Sequence, residues 1–464
     1  MTTQRRGMVT MLTAFLSLTI MMAGCGNANN ESGNAGNMSK ATNNTSAEDT
    51  NTATKEPVTL KIFKDAKNAQ DPKFLKMLED FKTETGITVE PNIVPGDGMD
   101  VYKKIDVALT TGDTTDIVVL DNPLLAQKYS ENGWLLPLND LMSEASYDAE
   151  KIYGKYLTKI EDKLYMLPTS ATKWMVVYNK KIFDDAGVPY PTGEAWTWDE
   201  YIETAKKLTN KEKGIYGSYM LDYDNYMYFQ ATQQGDGVRG YKEDGTSNYD
   251  DPVFKQSLQF FGDLGNKHKI QPSWLEFKTK KLAWDGFMSG KYGMQFIGTW
   301  YMGLLSNKTN YPRDWKAGMV QVPTMKAGEG NNFGVTDGNG INKNSEHPKE
   351  ALQFVQFAAE NYYKYMNVLP ARVDLTKDDL NSMFQGISEG IGGDITPEQL
   401  NKALFDNKLN YVQEKIIGPA ADEYSKIIVQ EAELYLVGEK SLDDTIATIK
   451  KRADQAITEA ANNN

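Results

Sequence analysis

Asp65 and Asp121 each stand just past an apolar run of strand character, Val58 to Phe63 for the first and Asp116 to Leu120 for the second. A side chain in that position lies where open α/β sheets take up ligands, beyond the carboxyl ends of their strands. A carboxylate there accepts hydrogen bonds from hydroxyls or draws a cation, and it serves equally well as a turn or cap residue. Rings are the second resource. The chain has 25 tyrosines and 8 tryptophans, and GSYMLDYDNYMYF, from Gly217 to Phe229, sets Asp222, Asp224 and Tyr226 among tyrosines without a single period. Such a stretch suits a core edge, or a cleft wall offering both flat apolar faces and hydroxyls.

Other chemistries are poorly served. Two histidines, His268 and His347, leave little for a His-built zinc site or a Ser-His-Asp triad. His347 precedes Pro348 at a helix start, where a surface cap is the simpler role. Gly338-Asn339-Gly340 follows neither the dinucleotide nor the P-loop pattern. The loop Asp244 to Asp251 is rich in oxygen donors but lacks EF-hand spacing, so no metal and no cofactor are expected. A net charge of −13 argues against a nucleic-acid or anionic-membrane partner.

The elements that must position these groups follow from local rules. Val58–Phe63 and Ile87–Val94 are strands. Between them Asp71 caps a helix with Pro72 at its first position and Phe74, Leu78 and Phe81 on its buried stripe, and Gly86 ends it. Tyr102–Leu109 is amphipathic, and Asp116–Asp121 reads as a parallel strand covered on both faces. This alternation predicts an α/β lobe. A second lobe begins near Leu167. Trp174–Tyr178 is a buried strand, and a short helix through Phe183 stops at Gly187 and Pro189. Thr197 and Glu200 then form a capping box for a helix whose face is Trp198, Tyr201, Ile202, Ala205 and Leu208. Pro252–Phe261 is a helix, 294–297 a strand and Val320–Pro323 an edge strand. Pro348 opens a helix with Ala351, Phe354, Val355 and Ala358 inward. From Thr376 the chain reads as helical, with Ser441 and Asp444 capping the last helix.

The first residues have a separate character. Arg5 and Arg6 precede an apolar run, Met8–Met22, and then Ala23-Gly24-Cys25, the chain's sole cysteine. This resembles a bacterial lipobox, in which the cysteine is lipidated after cleavage. Gly26 to Glu56, rich in Asn, Thr, Ser and Gly, reads as a flexible tether with a reach of roughly 30 Å.

Several separated segments resemble the family 1 extracellular solute-binding proteins, the sugar-binding receptors of bacterial ABC importers, similar to maltose-binding protein. Leu167-Pro168, Tyr178-Asn179-Lys180, Phe183, Ala186-Gly187 and Thr197-Trp198-Asp199-Glu200 carry the first match, and Gln127–Leu138 another. Phe287, Gly290, Met294, Gly298 and Trp300 fit the family's F-x-x-G-x-x-A-M … G-x-W segment, with Gly293 where alanine is usual. Val368 to Arg372 and the closing helix from Tyr435 complete a resemblance running from about Pro57 to Ala460.

That resemblance implies an α/β, two-lobed, periplasmic-binding-protein-like fold, class II-like, with its ligand cleft between lobes joined by a multi-segment hinge near 167–171, 330–336 and 368–372. The implied domains are a lipoprotein signal peptide (1–24), a lipidated Cys25 with linker (25–56), an N-terminal lobe (57–167 plus 333–368) and a C-terminal lobe (168–332 plus 369–464). The implied function is capture of a carbohydrate, an oligosaccharide, by a monomer anchored at the extracellular face of the cell membrane and its delivery to ABC permease subunits, with no catalysis. Trp300, on the turn after its strand, would stack on the sugar with Trp174 or Tyr226. Asp65, Asp121 and Asp337 would accept hydroxyl bonds near Asn339, and Lys173 or Arg372 would donate them, although Arg372 equally suits bracing the hinge. Two other assignments stay open. A polyamine would also suit acidic and aromatic walls. A glycoside hydrolase would need two carboxylates about 5–10 Å apart, and no hydrolase motif accompanies the acids.

Overall fold

The computed structural model describes residues 57–463 except 97–98, 236 and 406–407. The signal peptide, Cys25 and the tether lie outside the described residues. No helix among the described residues is long and apolar enough to cross a membrane.

Two sheets organise the chain. The first is built from β1 (Thr59–Asp65), β2 (Thr88–Val94), β3 (Ile117–Leu120) and β4 (Leu167–Ala171). The second takes β5 (Trp174–Asn179), β6 (Tyr216–Ser218), β7 (Tyr292–Gly298) and β8 (Ala317–Val320) in the order β6-β7-β5-β8. β9 (Asn331–Gly334) pairs in parallel with β11 (Asn410–Gln413), while β10 (Thr336–Ile341) returns to the first sheet and inserts to give β2-β1-β3-β10-β4.

The first lobe follows its sequence closely. Asp71 accepts the Lys73 N–H at 2.8 Å, Pro72 opens the helix Pro72–Thr85, and Gly86 closes it at φ 76°. A left-handed residue is needed there to bond back to Lys82, and only glycine adopts that φ without cost. Strand alternation sends Leu60, Ile62 and Ile117 to a core with Phe74, Phe81 and Phe354. Phe63, Val118 and Leu120 face the opposite side with Ile105 and Tyr129. Helices therefore cover both faces of this sheet, as the uninterrupted apolar strand β3 requires.

β10 lies antiparallel between β3 and β4. Its glycines make that insertion possible. A Cβ on Gly338 would come within 2.2 Å of the Leu167 carbonyl oxygen, a backbone atom that cannot swing away.

In the second lobe the capping box forms as read: Glu200 N–H donates to Thr197 Oγ1 and Thr197 N–H to Glu200 Oε2. The helix Trp198–Leu208 buries the five residues of its apolar face. β5 is buried along its whole length, and its Trp174 pairs with Gly298 of β7.

Three readings differ in detail. The edge strand is Ala317–Val320 rather than Val320–Pro323, because β5 offers its pairing groups to 317–320 and Pro323 has no N–H to donate. From Thr376 onward the chain forms helices Lys377–Gly390, Pro397–Leu404, Ala421–Leu436 and Leu442–Asn463, but β11 interrupts them. His347 stands at the start of the helix Pro348–Met366 without a side-chain capping bond. The acidic loop 244–251 spends its oxygens internally: Asp244 accepts from Thr246 and Asp250 pairs with Lys242. No three acidic, histidine or cysteine side chains among the described residues converge as metal ligands.

Candidate functional site

The first sheet delivers three carboxylates to one rim. β1 and β3 are parallel, so Asp65 and Asp121 emerge at the same end. β10 runs the other way, with Gly338 opposite Leu120, so its early residue Asp337 arrives at that end too. They line a hollow of about 400 Å³ together with Lys64, Asn339 and Tyr362. A second hollow of about 610 Å³ shares Asp121, Asp337 and Tyr362 and reaches the other lobe, where Trp300, Tyr223, Thr299 and Glu414 line it. A cleft bounded by both lobes results.

The rim is crowded with charge. Asp65 accepts the Asn68 N–H at 2.9 Å and the Asn68 amide at 2.8 Å, so it holds a turn while lining the cleft. Asp121 accepts from the Tyr102 hydroxyl. It is open to cleft water yet walled by protein, and burial raises its carboxyl above the usual range against the Tyr102 bond and the Lys64 charge. Asp337 accepts from Ser170 Oγ on β4. Burial pushes it up to about 6; the Ser170 bond opposes this and the Asp121 charge adds to it. Lys64 sits amid all three, its Nζ 5.0 Å from the Phe74 ring centre. Burial draws it down while Asp65, Asp337 and Asp121 hold it up. Lys64 and Lys67 thus face three acids across this hollow, and the surplus acceptor remains for a ligand.

The opposite wall is aromatic. Trp300 and Tyr223 are half-buried, with ring centres 5.6 Å apart. Beneath them lies Trp174, fully buried and edge-on to Trp300 at 5.5 Å and 88°. Its indole N–H donates to Glu414. Burial pushes Glu414 up to about 7 against the adjacent Lys415 charge. The Lys415 ammonium is itself committed, donating to Asp224 at 3.0 Å and to Asn225 Oδ1 at 2.8 Å.

The structure therefore brings Trp300, Asp121, Asp337, Asp65 and Asn339 of the expected set to the cleft. Trp174 and Tyr226 lie in the core instead, both 0 % exposed. The Tyr226 hydroxyl donates to the Phe296 carbonyl at 2.5 Å. The register explains this: β5 is central in its sheet, and the strand-like density of rings that suggested a stacking surface is what a covered strand also needs. Lys173 and Arg372 line a different hollow. Lys173 Nζ donates to the Leu404 carbonyl at 2.7 Å, and Arg372 grips Asp374 through Nε and a terminal nitrogen at 2.9 and 2.8 Å. Tyr223, Glu414 and Lys415 were not legible in sequence. Tyr223 belonged to the tyrosine-rich stretch without standing out from it, and Glu414 and Lys415 owe their position to the unexpected strand β11.

Comparison with known proteins agrees with this architecture. A family model for bacterial extracellular solute-binding protein matches residues 65–364. The multiple sugar-binding protein of Streptococcus mutans is 23% identical over 351 residues, 72% of this chain and 80% of that protein. The arabinooligosaccharide-binding protein of Halalkalibacterium halodurans is 24% identical over 318 residues, 63% of this chain and 67% of its own. Among solved structures, an ABC substrate-binding protein of Listeria monocytogenes in complex with cycloalternan superposes with a TM-score of 0.72 at 21% identity, covering 87% of this chain and 100% of that one.

Proposed function

Because the chain belongs to the bacterial extracellular solute-binding proteins, we propose that it captures a carbohydrate, an oligosaccharide, in the interlobe cleft and delivers it to an ABC permease. One observation carries the reading: the rings of Trp300 and Tyr223 line the same hollow as the carboxylates of Asp121 and Asp337. Sugars present flat C–H patches and many hydroxyls, and these two walls answer one each. The relatives named for binding sugars support the same ligand class. Micromolar affinity corresponds to roughly −8 kcal/mol, which a few ring contacts and charge-assisted hydrogen bonds of about 1.5–3 kcal/mol each can supply. A ligand touching both walls stabilises the closed arrangement, since only there are all contacts made. In this reading the sugar site comprises Trp300, Tyr223, Asp65, Asp121, Asp337 and Asn339, and the lobes divide at the crossings near 171–174, 331–336 and 367–373. Lipidation at Cys25 holds the protein at the extracellular face of the membrane.

The surplus of acid over Lys64 and Lys67 favours one second reading, a cationic solute such as a polyamine. Tryptophan fluorescence and melting of the full chain against an oligosaccharide panel and spermidine separates the two. A saturable, salt-insensitive response to one sugar class, abolished in Trp300→Ala and with the sugar recovered unchanged, is expected. A response to spermidine alone, weakening steeply with salt, overturns the carbohydrate assignment.

A further inference from the structure

Behind the hinge lies a hollow of about 350 Å³ lined by Lys155, Tyr156, Lys173, Arg372, Phe405 and Tyr411, among others. A small core of Tyr156, Ala171, Ala371 and Tyr411 separates it from the cleft, because Ala171 faces the cleft while both tyrosines face this hollow. Its charged groups, Lys155, Lys173 and Arg372, are all cationic. Arg372 is matched by Asp374, but among the described residues Lys155 and Lys173 form no ion pair. Lys173 is 6 % exposed; its Nζ makes one bond to a carbonyl and sits 3.6 Å from the Phe405 ring centre. Burial draws its ammonium down to about 7, and the Lys155 charge adds to this. A buried ammonium is ordinarily paired.

We propose that this hollow binds a small oxyanion, held by the ammoniums of Lys173 and Lys155. An anion there supplies the counter-charge that the buried Lys173 ammonium lacks, and the pairing is strengthened by the low local dielectric. It also ties Lys155, which precedes β4, to Lys173 on the β4–β5 segment that joins the sheets, so it stiffens the hinge. The site is independent of the sugar reading.

Isothermal titration and melting of the full chain with inorganic phosphate at pH 6.5 and fixed ionic strength test it, with acetate as a competing carboxylate. Saturable 1:1 binding and a rise in Tm are expected. Binding should weaken at least tenfold in Lys173→Met and in Lys155→Met, an exposed position whose change spares the fold. Trp300→Ala should leave it unchanged. Acetate or phosphate bound in this pattern supports the site. Binding of neither, or binding unaltered in both lysine variants, overturns it.

Discussion

The indole of Trp300 lies across the Cα of Gly298. A Cβ built on Gly298 would stand 1.8 Å from Trp300 Cζ3, so the ring occupies the space a side chain would take. The Gly298 backbone is extended, at φ −79° and ψ 163°, and any residue can adopt it. Glycine is therefore needed there for room.

Gly298→Ala should displace the indole without unfolding the lobe. Overpacking of this kind costs about 1–3 kcal/mol. Sugar affinity should fall about tenfold or more, approaching the Trp300→Ala value, while Tm drops by a few degrees. Titration of both variants checks this; unchanged affinity in Gly298→Ala would remove Trp300 from the binding surface.

Gly338→Ala should act on stability, since the obstacle is the Leu167 carbonyl at 2.2 Å in the paired strand β4. Backbone cannot yield as a ring can, so β10 must separate from β4. A loss of at least about 2 kcal/mol is expected in denaturant unfolding, larger than for Gly298→Ala. An equal or smaller loss would contradict the packing argument.

Asp337 sets a pH dependence. Its folded value, about 6, is raised above the ordinary carboxylate value of 3.8 expected in the unfolded chain. The folded state then binds the proton more tightly, and this contribution to stability is full below pH 3.8 and lost as pH rises through 6. Asp337→Asn should thus gain stability relative to wild type between pH 4 and 6.5, by about 1–2 kcal/mol after screening by cleft water, and then level off. Sugar affinity should fall below pH 6 in wild type as the acceptor carboxylate is neutralised, and lose that dependence in the variant. Parallel melting and binding curves across this window read both effects.

Trp174→Phe keeps the ring beneath Trp300 but removes the donor to Glu414, which is 3 % exposed. A buried acid left with one bond fewer costs about 1–3 kcal/mol. Chemical unfolding should register that loss, and sugar affinity should change less than in Trp300→Ala. The reverse order would mean that Trp174 itself contacts the ligand.

Local signals were legible wherever neighbours in sequence settle the outcome. Asp71-Pro72 with Gly86, and Thr197 with Glu200, define helix ends because capping bonds span only two to four residues. The parallel character of β3 was legible because an apolar run with no polar face must be covered twice. Asp65 and Asp121 followed for the same reason, since strand ends are local and the sheet's direction does the rest, whereas Asp337, early in β10, was expected only from the family resemblance.

Tertiary structure decided which rings meet the cleft. Trp174, Tyr226 and Trp300 are equally aromatic, yet two are sealed in the core and one opens to the cleft. The difference lies in pairing: Trp174 is flanked by β7 and covered by Phe296 and Phe333, whereas Trp300 has already left its strand. Glu414 and Lys415 reach the cleft because β11 pairs with β9, nearly eighty residues away. Hydrogen bonds between distant strands leave no local period behind. The sequence alone thus determined the capped helices, the covered strand β3 and the two acids at strand ends, and long-range pairing determined β11 and what stands across the cleft.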